Sequence, residues 1–247
     1  MRDIAGTKVT NTIKYLGVTI NDSRICFKKH KELMMIMARR LANMTYSVIA
    51  RSCSRILIGK TFWKCIALPG ILYGINIIDF TKKEVEQLQR IENSVGRQIL
   101  GAARYTQETA IRGEIGTSSM KARIMEGQLN YLQYILRGEG NELISSIVEE
   151  MRVANKSKWI KGLINDRRMI GIKGVNIKNK EIRKKVRIWD TNEWKREMEN
   201  KSSLKLYQKW RLEIGGQEQV YDNREASVIL FKARSNNLNL RLKATGD

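Results

Sequence analysis

Apolar residues recur at helical spacing along most of this chain. From His30 to about Arg51 they fall three or four residues apart, which predicts an amphipathic helix with one buried stripe. A second helix is predicted from Ser54 to about Tyr73, bent or ended near Pro69, since proline lacks the amide donor that a helix needs. The stripe of the first helix consists of Leu33, Met37, Leu41, Met44 and Val48.

A third helix carries the clearest start signal. Thr81-Lys82-Lys83-Glu84 matches a capping box, in which the threonine and glutamate side chains satisfy amides of the first turn. Gly101 is expected to end this helix. Its predicted buried face consists of Val85, Leu88, Ile91, Val95 and Ile99.

Further helices are predicted along the rest of the chain, with a domain boundary at Gly171-Ile172-Lys173-Gly174. We expect the helix that begins near Lys180 to be interrupted at Asp190-Thr191-Asn192. The helix after Gly116 is expected to be capped by Thr117 or Ser118. The predicted spans are Thr106 to Arg112, Thr117 or Ser118 to about Leu136, Asn141 to Val153, Lys156 to Ile170, Lys180 to Asn200 and Asn223 to Ala233.

One hairpin stands before these helices. Ile13 to Ile20 is rich in β-branched residues, Asn21-Asp22-Ser23 is a turn signal, and Arg24 to Phe27 is predicted to return as the second strand. The single proline among 247 residues also favours helix. The sequence therefore predicts a mainly α fold with a short N-terminal β-hairpin.

The net charge of the chain indicates what kind of partner it binds. The formal net charge is +21, and it is concentrated in residues 1–80 and 151–215, whereas 81–150 are nearly neutral. Such a balance indicates an anionic partner, with nucleic acid first, because cations that neutralise phosphates release counterions. The three cysteines suit reduced thiols, so we expect an intracellular protein, nuclear or cytoplasmic. The apolar run from Ile66 to Ile78 is too short to span a membrane, and no membrane partner is expected.

Two rows of cations are candidate phosphate contacts. Lys180, Arg183, Lys184 and Arg187 cluster on one helix face, opposite the apolar side chains of the same helix. A second row, seven residues apart, lies opposite the apolar stripe of the helix after Thr81. For both rows the alternative is an ordinary solvated face. The second row consists of Lys83, Arg90 and Arg97, and further single candidates are Lys28, Lys29 and Arg39.

Four segments, in order, carry a family resemblance. Tyr15-Leu16-Gly17-Val18 is similar to the primer-grip hairpin of reverse transcriptases, and Ile71-Leu72-Tyr73-Gly74 resembles the segment that follows it in non-LTR enzymes. Leu100 to Arg104 with Ala110 to Gly116, and Leu230 to Arg234 with Leu238 and Leu240, look like later stretches of the same family. The chain thus resembles the C-terminal part of a non-LTR retrotransposon (LINE-like) reverse transcriptase.

The resemblance implies three regions: a primer-grip-like β-hairpin at 1–28, a thumb-like helical bundle at 29–170 and a basic helical linker at 175–247. It implies that Tyr15, Leu16 and Gly17 hold a primer end, because glycine permits close backbone approach; the alternative is a structural hairpin with Tyr15 and Leu16 in the core. The implied partners are RNA or an RNA/DNA template–primer and the palm and fingers region. The surface from Ile56 to Ile78 would then pack against the palm and be exposed without it.

The sequence contains no Asp-Asp pair, whereas the family's polymerase site uses paired aspartates to hold magnesium. We therefore expect a fragment or remnant without catalysis of its own, without a cofactor and without a small-molecule substrate; magnesium would belong to the palm. The competing hypothesis is a stand-alone helical interaction module, derived from a mobile element, that binds RNA or an acidic protein partner.

Overall fold

The computed structural model describes residues 10–22, 26–52, 54–154, 157–173, 177–215 and 225–235. It confirms the predicted fold class: a two-stranded antiparallel hairpin followed by helices. The strands are β1 (Thr12–Tyr15) and β2 (Val18–Asn21), and the helices are α1 (Lys28–Ala50), α2 (Arg55–Phe62), α3 (Leu68–Ile71), α4 (Lys82–Leu100), α5 (Glu108–Ile115), α6 (Met120–Leu136), α7 (Glu142–Ala154), α8 (Lys158–Met169), α9 (Asn179–Glu199), α10 (Lys205–Trp210) and α11 (Glu225–Arg234).

The hairpin turns earlier than predicted. Tyr15 pairs with Val18, so the turn consists of Leu16 and Gly17, with φ of 45° and 84°. Two successive positive φ angles make the tight turn that matches strand twist. The hairpin turn therefore does not lie at residues 21–23, of which Ser23 is outside the described residues. Asn21 ends β2, its amide donates to the Cys26 carbonyl at 2.7 Å, and its side chain accepts a hydrogen bond from the Lys29 amide at the start of α1. The predicted return strand at residues 24–27 lies partly outside the described residues, and 26–27 form a turn.

Helix α1 buries a different face from the predicted stripe. Its buried face includes Ala38 and Ala42, and the helix packs closely against α4. Ala38 and Ala42 belong to the first hydrophobic core cluster, where small side chains permit dense packing. The predicted core positions Leu33, Met37 and Met44 are exposed instead.

Proline explains the irregular helix that follows. Five residues, Trp63–Ala67, form a π-helical turn between α2 and α3. In a regular α-helix the ring of Pro69 would clash with the carbonyl of Cys65, and a π turn is one way to relieve this conflict. The helical run ends at Ile71, two residues after Pro69, which confirms the prediction that it is bent or ended there.

Other boundaries follow local chemistry. The capping box is confirmed, since the Glu84 amide donates to Thr81 Oγ1 at 3.3 Å and the Thr81 amide donates to Glu84 Oε2 at 2.7 Å. Gly101 ends α4 in the left-handed conformation, also as predicted. The cap of α6, however, is Ser119 rather than Thr117 or Ser118.

Two hydrophobic clusters form the core, and chain from both sides of residues 171–174 contributes to each. One gathers α1 to α5 together with Trp194, Tyr207 and Phe231. The other joins α6, α7 and α8 to Ile182 and Val186 of α9. Helix α9 therefore ties the helices before residue 170 to those after it.

Candidate nucleic-acid interface

Helix α9 is anchored along its whole length. It runs through Asp190 to Asn192 without a break, so the predicted interruption is wrong. Trp194 is fully buried and its indole nitrogen donates to the Thr109 carbonyl at 2.8 Å. The buried stripe of α9 consists of Ile182, Val186, Asp190, Trp194 and Met198.

A buried charge network explains why the helix continues through Asp190. Its carboxylate accepts hydrogen bonds from Arg112 at 3.0 Å, from the Ser119 hydroxyl at 2.6 Å and from the Ser119 amide at 3.0 Å. Arg112 is itself buried on α5, and Ser119 is the cap of α6. One carboxylate thus fixes three helices relative to one another, and it sets the direction in which the rest of α9 faces.

The predicted cation row lies on the outer face of α9. Lys180, Arg183, Lys184 and Arg187 are all exposed. The last three line a groove of about 560 Å³, formed between α9, the start of α6 and the chain around Glu213. The structure therefore brings together three of the four residues of this row.

Lys195 joins the same groove. Sequence reasoning missed it, although a signal was present: Lys184 and Lys195 are eleven residues apart, about three helical turns, and so share a face. Fifteen residues separate Lys180 from Lys195, which spans roughly 22 Å at 1.5 Å per residue.

The cations differ in how far they are already engaged. Arg183 donates to Glu126 at 2.8 Å, and this hydrogen bond raises the pKa of Arg183. Among the described residues, Lys180, Lys184, Arg187 and Lys195 make no ion pair. Glu126 and Glu213 line the groove as well, so its unpaired positive charge lies on the α9 side.

The hairpin tip is a second exposed site. Leu16 is 73% exposed and Tyr15 is also exposed, so the interpretation that both belong to the core is wrong. The Tyr73 hydroxyl donates to the Leu16 carbonyl at 2.6 Å, and a Cβ on Gly17 would stand 2.9 Å from the Tyr73 ring. Two segments that carry the family resemblance are therefore in direct contact through residues 57 positions apart.

The α4 row is not a row of free cations. Lys83 is exposed, and Arg90 reaches Glu86 at 4.0 Å. Arg97 is only 22% exposed at its side chain, donates to the Thr106 carbonyl at 3.2 Å and lies 3.7 Å from Glu108. Arg97 holds the chain that leads into α5, so it is not available to a phosphate backbone.

The remaining candidates lie on α1, away from the groove. Lys28, Lys29 and Arg39 are exposed, and Lys29 lies 3.6 Å from Glu32. None of the three lines the groove beside α9.

Lys60 of α2 and Lys64 of the π turn extend their ammonium groups to the end of α5. Lys60 donates to the Glu114 carbonyl at 2.9 Å and Lys64 to the Gly116 carbonyl at 3.1 Å. Burial, with the nearby charge of Lys64, lowers the pKa of Lys60 to about 8. Burial likewise lowers the pKa of Lys64. The two ammonium groups satisfy carbonyls that the helix end leaves without partners.

No cluster of three metal-ligating side chains occurs within the described ranges. His30 Nδ1 accepts a hydrogen bond from the Thr19 amide at 3.3 Å and joins β2 to α1. Across the same ranges, no helix combines the length and apolar character that crossing a bilayer requires. The chain matches no protein-family model, no curated protein and no solved structure.

Proposed function

We propose that this protein binds RNA or an RNA/DNA template–primer, as the thumb and linker part of a non-LTR retrotransposon reverse transcriptase, without synthesising DNA by itself. The observation that carries the proposal is the cation face of α9. Lys184, Arg187 and Lys195 are exposed, line one groove and have no ion-pair partner among the described residues. Phosphates spaced along a strand are a natural counterpart of such a face.

The first turn of α9 carries both signs of charge. Lys178 occupies the N-cap without a capping hydrogen bond, and Lys180 and Glu181 follow. Glu181 is the kind of residue that the positive end of a helix dipole favours. An anionic partner is therefore supported by the groove cations further along α9 and not by the helix start.

The hairpin supplies the second contact. Tyr15 and Leu16 project from a turn whose Gly17 backbone is held against Tyr73. An aromatic ring beside an exposed backbone can pack on a sugar or base at the end of a strand. In this proposal the α9 face provides affinity and the hairpin tip touches the terminus.

The proposed partners are nucleic acid and the palm and fingers region. The proposed location is the nucleus or cytoplasm, and neither a membrane nor a small-molecule substrate is involved. Magnesium would act at the palm, so primer extension by this chain with magnesium and nucleotides should give no templated product. A templated product would contradict the non-catalytic part of the proposal.

Binding is tested by filter retention of a labelled RNA duplex and an RNA/DNA hybrid at 50 and 200 mM salt. We expect retention at the lower salt and a loss of affinity of at least tenfold at the higher salt, since several phosphate contacts give a steep salt dependence. Absence of binding to either duplex at 50 mM salt would refute the proposal.

A second candidate is a stand-alone helical module that binds an acidic protein. The observation in its favour is the exposed apolar side chains of α1, which lie beside Arg39 and Arg40. This candidate predicts cooperative unfolding of a monodisperse chain and no preference for nucleic acid over an acidic polypeptide such as polyglutamate. Salt-sensitive binding to RNA with no binding to polyglutamate would exclude it.

A further inference from the structure

Helix α7 leaves most of its apolar face uncovered. Of its five large apolar side chains that share one face, Val148 is buried against the second core cluster. The others are exposed, including Ile147 at 41%. Their spacing of three and four residues is the spacing that fills the groove of a partner helix. These exposed residues are Leu143, Ile144, Ile147 and Met151.

Helix α1 has an exposed apolar flank of its own. Met44 is 52% exposed, and Leu33 and Met37 are exposed on the same side of the helix. A Cβ on Gly70 would stand 2.8 Å from the Met37 terminal methyl, so this flank borders α3 at a position without a side chain. The flank and the glycine together form a shallow apolar surface.

The two faces differ in charge. Residues 137–154, which include α7, contain four acidic and two basic side chains in a chain of net charge +21. The exposed surface of α1 carries Lys28, Lys29, Arg39 and Arg40 against a single exposed acid, Glu32. The rims of the two apolar faces are therefore complementary.

We propose that a second copy of this chain docks its α7 face onto the α1 flank of the first. Two molecules of net charge +21 repel each other over most of their surfaces, so association is favoured where a locally acidic face meets a basic one. Each copy carries both faces, and the contact joins different surfaces on the two partners. Such a heterologous contact extends into chains of molecules unless the rotation closes a ring.

The contact is short. Thirteen residues of α7 span about 20 Å, which puts the interface at the small end of specific protein–protein contacts. We therefore expect weak association in the micromolar range, reversible on dilution.

Sedimentation velocity of the full-length chain, treated with nuclease so that RNA does not bridge molecules, tests this. The wild type should sediment progressively faster as concentration rises, past the dimer. Met44→Glu and Ile147→Glu should each sediment as monomers. An equimolar mixture of the two variants should form dimers and nothing larger, because one variant keeps an intact α7 and the other an intact α1.

Ile229→Glu on α11, an exposed isoleucine outside both faces, is the matched control and should associate like the wild type. Circular dichroism confirms folding, and Met44→Ser and Ile147→Ser replace any glutamate variant that loses helical signal. A monomeric wild type at all concentrations would overturn the proposal, as would a mixture that stays monomeric. Loss of association in Ile147→Glu alone, with Met44→Glu unaffected, would show that α7 pairs with itself instead.

Discussion

The carboxylate of Asp190 should be among the most costly side chains to remove from this protein. Asp190→Ala leaves Arg112 buried without its closest counter-charge and removes the acceptor of both Ser119 hydrogen bonds. Glu197, 3.8 Å from Arg112, is half exposed and compensates little. The substitution therefore removes the hydrogen bonds that hold α5, α6 and α9 together.

The magnitude follows from these contacts. Breaking a buried ion pair from one side costs about 3–5 kcal/mol, mostly because the remaining charge is uncompensated. A domain of this kind is stable by about 5–15 kcal/mol in total, so Asp190→Ala should remove a large share of the free energy of unfolding. The loss should also loosen α9 and thus the cation face.

Urea denaturation at low micromolar protein measures the effect. Glu193→Ala, one turn further along α9, removes an acid that pairs with Arg196 at 3.1 Å near the surface and should cost less than about 1 kcal/mol. The double variant Arg112→Met/Asp190→Leu should lose much less free energy of unfolding than the sum of the losses in Arg112→Met and Asp190→Leu measured singly. A change of less than 1 kcal/mol in Asp190→Ala, or additive single changes, would refute the reasoning.

Two further predictions concern local chemistry. Because the pKa of Lys60 is lowered to about 8, the folded protein releases this proton at lower pH than the unfolded chain does. The free energy of unfolding should therefore rise between about pH 8 and 10, by at most roughly 3 kcal/mol. Urea titrations compare the protein with Lys60→Met, and parallel pH profiles of the two would contradict this. At the hairpin, Leu16→Gly should raise the free energy of unfolding by about 0.5–1 kcal/mol, because a φ of 45° is strained for a residue with a side chain and not for glycine. Gly17→Ala should destabilise by about 1–2 kcal/mol, since its Cβ meets Tyr73 at a positive φ; thermal unfolding that ranks the two variants the other way would contradict both expectations.

Local signals in the sequence predicted much of the fold. The Thr81 capping box, the Gly101 stop and the disturbance at Pro69 each act within a few residues, so their outcome does not depend on distant chain. The predicted start and end of α1 also hold to within two residues.

Tertiary contacts decided what the sequence pattern alone did not. The face that α1 buries, which includes Ala38 and Ala42, depends on the helices that pack against it, and the repeat within a single helix does not identify those neighbours. The sequence predicted a helix break at Asp190 because the partner of its carboxylate, Arg112, lies 78 residues earlier and cannot be seen in the local pattern. Asn21-Asp22-Ser23 is a strong turn signal, but the hairpin turn lies before it, at Leu16 and Gly17.

The candidate site was predicted in part for the same reasons. Lys180, Arg183, Lys184 and Arg187 share a face because of helix geometry, which sequence reveals. Lys195 was missed because the expected break at Asp190 placed it in a separate element. Arg97 was counted as a surface cation because the sequence pattern of α4 does not predict its contacts with Thr106 and Glu108, which lie after the end of that helix.

Charge reversal on the α9 face tests the central claim most directly. Lys184→Glu/Arg187→Glu is compared with Lys205→Glu/Lys209→Glu, which changes net charge equally at exposed positions of α10 outside the groove. RNA affinity is measured by fluorescence anisotropy across a salt series. We predict that the α9 variant loses at least tenfold in affinity at low salt. The magnitude of its slope of log K against log salt should fall by roughly 1.5, since each of the two lost phosphate contacts lowers it by about 0.7–0.9. The α10 variant should change little in either quantity. Equal losses in the two variants, or unchanged binding by the α9 variant, would contradict the account.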